Sequence, residues 1–330
     1  MRLFPEVISA FAIGCDSWDW HDDAWRPNRM PTSMRPLYDT NDGARARMYS
    51  TSGVRLRFVS DTRRLWIQLR YGVFARPIYK GSLVIDGQLA GTFGPDAQQP
   101  QWDGVIFESD TAQLRVFDIW LPNMVQTDVV ELQIDDNCEM KPADPLPVRW
   151  LVYGDSITQG MTSSHPAACA IGLAALACNA EVLNLGVGGA KLIAELATTV
   201  PQGKYDILSI AYGTNDFNQN VQVADYQANA ASLLDALTRA YPDKPIVLIT
   251  PLTWASRTHR NANGCTLEDF RAALRQVARG RANVTLLEGT DLIPDDESFF
   301  VDKVHPNDAG FKLYGEKLIA AVQQLLSLQV

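Results

Sequence analysis

The sequence predicts an α/β protein in two parts. Residues 1–147 read as an antiparallel, jelly-roll-like β-sandwich, and residues 148–330 as a flavodoxin-like α/β/α domain with a five-stranded parallel sheet. Three observations predict this. Before residue 148 there are strand patterns and turn signals but no convincing amphipathic helix. After it, apolar runs of strand length alternate with helical patterns, which gives a parallel sheet covered on both faces. Between the two rhythms lies Pro142-Ala143-Asp144-Pro145-Leu146-Pro147, a stiff linker in which each proline fixes φ and removes a backbone donor.

In the first part, Val54 to Val59 alternates apolar and basic residues, and Leu65 to Arg70 does so more loosely. Ser82 to Ile85 is a strand running into the Asp86-Gly87 turn, and Leu114 to Leu121 and Val129 to Ile134 complete the set. The acidic, aromatic stretch Asp16 to Asp23 reads as a surface loop whose tryptophans pack on the second part or flank a substrate mouth. In the second part, strands are expected at 148–154, 181–186, 206–212, 245–250 and 283–288. Helices are expected at about 166–178, 190–199, 223–240, 267–280 and 307–327. The last of these repeats Phe311, Tyr314, Leu318, Val322 and Leu325 at helical spacing. The strands are rich in Val, Ile and Leu, as buried parallel strands are, and the expected order is 2-1-3-4-5.

Composition narrows the function classes. A formal net charge of −9 with only short basic patches, such as Arg63-Arg64, argues against a nucleic-acid partner. No apolar run approaches the ~20 residues of a membrane helix, so no membrane partner is expected. Val7 to Ile13 is a poor secretory signal because Pro5 and Glu6 interrupt its basic flank. Five cysteines, an odd number without metal-ligand spacing, fit reduced thiols in a cytoplasm, with Cys169 and Cys178 in the core.

Four segments carry chemistry. Gly154-Asp155-Ser156 ends the first parallel strand and opens a helix, the geometry that exposes a serine hydroxyl beside aligned backbone N–H groups. Asn184-Leu185-Gly186-Val187-Gly188-Gly189 and Gly213-Thr214-Asn215-Asp216 follow the second and third strands. Asp302-Lys303-Val304-His305-Pro306 leads into the last helix, with Pro306 suited to its first position. Ligands of such sheets bind at the carboxyl ends of the strands, where these segments converge.

In that order, the four segments resemble the motif blocks of the SGNH hydrolases, or GDSL esterase/lipase superfamily, over roughly residues 148–330. A serine hydroxyl attacks an ester only when a base takes its proton, so Ser156 is the expected nucleophile and His305 its base. Asp302, three residues before, holds the imidazole and stabilises its charged form. The oxyanion hole is expected from the N–H groups of Ser156 and Gly189 and the amide of Asn215. The family spacing after Asn184 points to Gly189, with Gly186 and Gly188 as neighbours. Asp155 and Asp216 read as structural braces. A dinucleotide loop fits poorly, because Lys191 stands where the last glycine of G-x-G-x-x-G would be. No cofactor or metal is expected.

Trp254 and Arg257 lie on the segment after the fourth strand and are candidates for substrate binding. A sandwich ahead of an SGNH domain resembles two groups, carbohydrate esterases that remove acetyl groups and acyltransferases that tailor small natural products. The resemblance therefore implies a serine esterase acting on a small-molecule or carbohydrate ester, with acyl transfer by the same triad as the alternative. A carbohydrate-binding protein with a vestigial site is the reading from another class.

Overall fold

The computed structural model describes residues 1–3, 5–255 and 259–328. Its second half is the parallel sheet that the sequence predicts, with strands β1 (Val148–Gly154), β2 (Ala180–Asn184), β3 (Ile207–Ala211), β4 (Ile246–Ile249) and β5 (Val284–Leu287). They lie in the order β2-β1-β3-β4-β5, and every pairing is parallel. Both faces are apolar because both are covered. Leu151, Tyr153, Leu208 and Leu248 pack toward the Val223–Ala240 and Leu267–Ala278 helices. Trp150, Val152, Ile207 and Val247 pack toward Ala170–Ala177 and Asp308–Ser327.

The first half is a sandwich of two antiparallel sheets. One is ordered Ser17–His21, Ala24–Asn28, Val125–Ile134, Arg64–Phe74, Gln101–Glu108, and the other Met140–Pro142, Arg55–Ser60, Arg115–Trp120, Gly81–Ile85, Gln88–Phe93. Phe58, Ile67, Phe117 and Leu132 fill the space between them. Asp86 and Gly87 both take positive φ, which is the backbone a two-residue hairpin needs.

Four expectations need correction. The Asp16 to Asp23 stretch is not a loop. It forms a tight hairpin, Ser17–His21 with Ala24–Asn28, closed by Asp22 and Asp23 at positive φ. Its Trp18 and Trp20 stay exposed. Residues 1–147 also contain helices, Pro5–Ser9, Arg35–Tyr38 and Asp42–Tyr49. Asn41 caps the last of these by accepting the Ala44 N–H at 2.9 Å. Residues 190–199 form only a 3₁₀ turn, Ala194–Thr198. The Leu192 N–H is taken by the Asp216 carboxylate at 3.0 Å and its carbonyl by Asn229 at 2.9 Å, so neither is free for an α-helix. Finally, Pro306 does not open the last helix. Asn307 caps it, and the helix starts at Asp308.

The two halves share buried surface. Met30, Met34, Tyr38 and Met48 belong to the same core as Leu183, Leu185 and Tyr212. Arg55, which alternation places on an outer strand face, is buried beside Asp118 and donates to the Ala180 carbonyl at 2.7 Å. Arg29 is fully buried and donates to the carbonyls of Ser50, Arg47 and Asn184 at 2.7, 2.8 and 2.5 Å. A buried guanidinium needs its donors paired, and here backbone oxygens from both halves supply the acceptors.

Candidate active site

β1 delivers Ser156 through a turn that only glycine allows. A Cβ on Gly154 would strike the Thr158 side chain and the Ala211 carbonyl. Asp155 then caps the short Ser156–Gln159 helix by accepting the Ile157 N–H at 2.9 Å, and Gly160 ends it in the left-handed region. Burial raises the Asp155 carboxyl to about 6, against the pull of the Ile157 N–H. It braces the turn, as the sequence suggests. Ser156 is largely buried, and its hydroxyl lies 2.8 Å from His305 Nε2.

His305 arrives from the loop before the last helix. The Asp302 carboxylate accepts the His305 backbone N–H at 2.8 Å and the Val304 N–H at 3.2 Å, while Lys303 turns at positive φ. That turn folds the ring back onto the same carboxylate, with Nδ1 at 2.8 and 3.0 Å from its two oxygens. Partial burial would raise the Asp302 carboxyl, but the bonds from His305 outweigh it and hold it below the usual range. An ionised Asp302 keeps the proton on Nδ1 and turns the free lone pair of Nε2 toward Ser156. The Val301 N–H bonds the His305 carbonyl at 2.9 Å, and the Thr162 hydroxyl bonds the Pro306 carbonyl at 2.7 Å, which fixes the loop from both sides.

The glycine segment resolves by its hydrogen bonds. The Gly186 N–H goes to Asn184 Oδ1 and the Gly188 N–H to Gln159 Oε1, each at 2.9 Å. Among the described residues no acceptor is paired with the Gly189 N–H, and Gly189 is exposed at φ 81°. It is therefore the glycine with a donor to offer. The Asn215 amide reaches the Ala190 carbonyl at 3.1 Å, and its second N–H makes only a long 3.4 Å contact with Asp155. That second N–H can turn to a ligand at little cost. Asp216, next to it, is buried, bonds Leu192 N–H through one oxygen and leaves the other unpaired. Burial pushes it up to about 7.

Gln159 is the residue that sequence reading missed. It is fully buried and holds Gly188 through its oxygen, while its Nε2 donates to the Arg47 carbonyl at 2.8 Å. It thus links the glycine segment to the first half of the chain. Only its place one turn after Ser156 could have pointed to it. Trp254 is nearly buried, edge-on to Phe217 and His259 at 5.8 and 5.4 Å between ring centres. It lines a cavity of about 260 Å³ shared with Leu267 and Arg271. Arg257 lies outside the described residues.

Comparison with known proteins follows the same division. Residues 152–313 match the model of the GDSL-like Lipase/Acylhydrolase family. No curated protein matches the chain in sequence. Among solved structures, the salicylyl-acyltransferase SsfX3 from a tetracycline biosynthetic pathway is similar in fold. Its TM-score is 0.84 at 23% identity, over 99% of this chain and 98% of that one. The acetyl xylan esterase Est2A from the rumen bacterium Butyrivibrio proteoclasticus has a TM-score of 0.65 at 14% identity, over 99% of each chain. A family two carbohydrate esterase from Clostridium thermocellum, solved with cellohexaose, gives 0.65 at 16% identity, over 84% of this chain and 94% of that one. At these identities the likeness is one of fold, sandwich and α/β domain together.

Proposed function

We propose that the protein, whose residues 152–313 match the model of the GDSL-like Lipase/Acylhydrolase family, is a serine esterase that removes small acyl groups, chiefly acetyl, from a carbohydrate or similar small-molecule ester. The observation that carries this reading is the unbroken relay from Ser156 Oγ to His305 Nε2 at 2.8 Å and from Nδ1 to Asp302 at 2.8 Å. In the proposed reaction His305 takes the Ser156 proton as Oγ attacks the ester carbon. The negative charge forming on the carbonyl oxygen is met by the N–H groups of Ser156 and Gly189 and by the Asn215 amide. His305 then passes its proton to the departing alcohol, and an acyl-Ser156 ester remains. Water, activated by the same histidine, releases the acid.

A second reading is acyl transfer, in which an acceptor alcohol takes the place of that water. It is favoured by the likeness, along the whole chain, to a protein whose name is that of an acyltransferase. The two readings share every step up to the acyl-enzyme. A panel of acyl esters differing in chain length and alcohol, run with and without acceptor sugars, tests both. Hydrolysis of short p-nitrophenyl esters, lost in Ser156→Ala, is expected. Acylated acceptor forming faster than free acid assigns transfer, and undiminished turnover by Ser156→Ala overturns both.

A further inference from the structure

The Arg47 guanidinium stands at the proposed catalytic edge, Arg76 lies near enough for its charge to act on it, and among the described residues no acid pairs with either. Arg47, on the Asp42–Tyr49 helix, lies along the glycine segment. Its NH1 donates to the Gly188 carbonyl at 3.2 Å. The same NH1 would lie 3.4 Å from a Cβ on Gly189, the glycine whose N–H is open. Arg47 Nε is buried and has no acceptor. Arg76 lies on the loop after the Arg64–Phe74 strand, pinned where the N–H groups of Ala75 and Arg76 meet the Met124 carbonyl at 2.8 and 3.4 Å. The next residues, Pro77 to Lys80, face Thr162 to Ser164, Asn307 and the acid Asp308 across an open cavity of about 360 Å³ beside the His305-Pro306 turn. Among the described residues neither Arg47 nor Arg76 makes an ion pair. Burial first, and the Arg76 charge second, hold the Arg47 guanidinium below its usual range.

The chain carries a formal charge of −9, and several arginines of the sandwich are paired with acids, Arg26 and Arg70 with Asp128 and Arg55 with Asp118, while the buried Arg29 is satisfied by backbone carbonyls. The Arg47 side chain reaches the second half only through its one bond to the Gly188 carbonyl, while its backbone carbonyl receives Arg29 and Gln159. Two like charges near the mouth of a site are relieved by one kind of occupant, an anion.

We propose that the ester accepted here carries a carboxylate or phosphate, held by Arg47 and Arg76 next to the reacting acyl group. The proposal rests on the esterase reading and names its substrate class. The anion can sit on the acyl half or on the alcohol half, and the test separates the two. On the acyl side, mono-p-nitrophenyl adipate is compared with p-nitrophenyl hexanoate. On the alcohol side, 4-acetoxybenzoate is compared with its methyl ester.

At low salt, one acid is expected to exceed its neutral partner in kcat/KM by about ten- to a hundredfold, mainly through KM, as charge-assisted hydrogen bonds allow. The preference should fade as salt rises. Arg76→Gln, on an exposed loop, and Arg47→Gln should each reduce it, the pair should remove it, and Arg47→Lys should keep part of it. Ratios near one on both sides in the unaltered protein overturn the proposal. So does an acid preference that survives the double substitution. An equal fall in kcat for acid and neutral esters in Arg47→Gln also overturns it, since the guanidinium would then serve the oxyanion. Failure of the esterase reading is seen separately, as no turnover of any of the four esters. In that event calorimetry of 4-acetoxybenzoate on Ser156→Ala decides. Binding that weakens about tenfold or more in the Arg47→Gln, Arg76→Gln background supports the anion site, and absent or unchanged binding sinks it.

Discussion

The two sides of the candidate site are built differently. The histidine side is local. Asp302 receives the backbone and the ring of His305 within four consecutive residues, and the carboxylate is half exposed. The proposed oxyanion side is assembled from distant chain segments. Gly188 hangs on Gln159, Gln159 on Arg47, and the Arg47 carbonyl also on the buried Arg29, so the first half of the chain supports the second half's glycine segment. A local motif can be read from spacing and tolerates change around it. A dispersed one depends on burial and on partners far away in sequence, and loosens when any of them is lost.

The largest break comes from cutting the chain to begin near Pro147. The proposed catalytic residues remain, but Met30, Met34, Tyr38 and Met48 are stripped from the core they share with Leu183 and Tyr212, and Arg29 and Arg47 leave the glycine segment. Exposed apolar surface of that kind favours aggregation. We expect an insoluble or unfolded product, checked by gel filtration and circular dichroism. A soluble, active fragment would show that the glycine segment stands without the sandwich.

Within the whole chain, Ser156→Ala should cost about 10⁴- to 10⁶-fold in kcat while melting stays near that of the parent, because among the described residues the hydroxyl bonds only His305. Asn215→Ala should lower kcat by about 10²–10³-fold with little change in KM, since the amide meets the oxygen mainly once it is charged. A change confined to KM would place Asn215 in ground-state binding instead. Gln159→Ala separates the two sides most cleanly. It leaves the Gly188 N–H and the Arg47 carbonyl without their partner in a buried place, which costs about 1–3 kcal/mol of stability. Because Gly189 is held through Gly188, we also expect kcat to fall by about tenfold, the loss that a misplacement of well under an ångström can bring. Lower stability with undiminished kcat would mean that Gly189 is positioned without Gln159.

This difference also decides what was legible in the sequence. The five parallel strands were, because each is a short Val/Ile/Leu run between helical patterns. Ser156, Asn215 and the Asp302 to His305 loop were placed by the strand ends they follow or the helix they precede. The choice of Gly189 over Gly186 and Gly188 rested on resemblance alone, because the acceptors that occupy the other two N–H groups belong to Asn184 and Gln159 side chains. The strands Gln88–Phe93 and Gln101–Glu108 were missed, since polar residues and an internal glycine break their alternation. The helix expected at 190–199 fails for a tertiary reason, as Asp216 and Asn229 hold the backbone at Leu192. Arg47 gave no signal at all, because its meaning lies in a glycine carbonyl more than a hundred residues away.

A last expected effect is a pH dependence of stability beside the proposed oxyanion groups. Burial raises the Asp216 carboxyl to about 7 from an ordinary value of 3.8, so the folded chain favours its neutral form. The folded state therefore binds more protons than the unfolded state between those values. Its contribution to stability is fully present below about pH 4 and is lost as pH rises through about 7. Asp216→Asn keeps an oxygen for the Leu192 N–H and cannot ionise. Its stability relative to the parent should be lowest near pH 4 and higher at pH 8, by about 1.4 kcal/mol for each pH unit crossed between the unfolded and folded values. Urea unfolding at the two pH values measures this difference. Asp155, also raised by burial, keeps part of the slope in the variant. A difference between variant and parent that is the same at both pH values would mean that Asp216 does not titrate across this range, and that its unpaired oxygen is satisfied in solution.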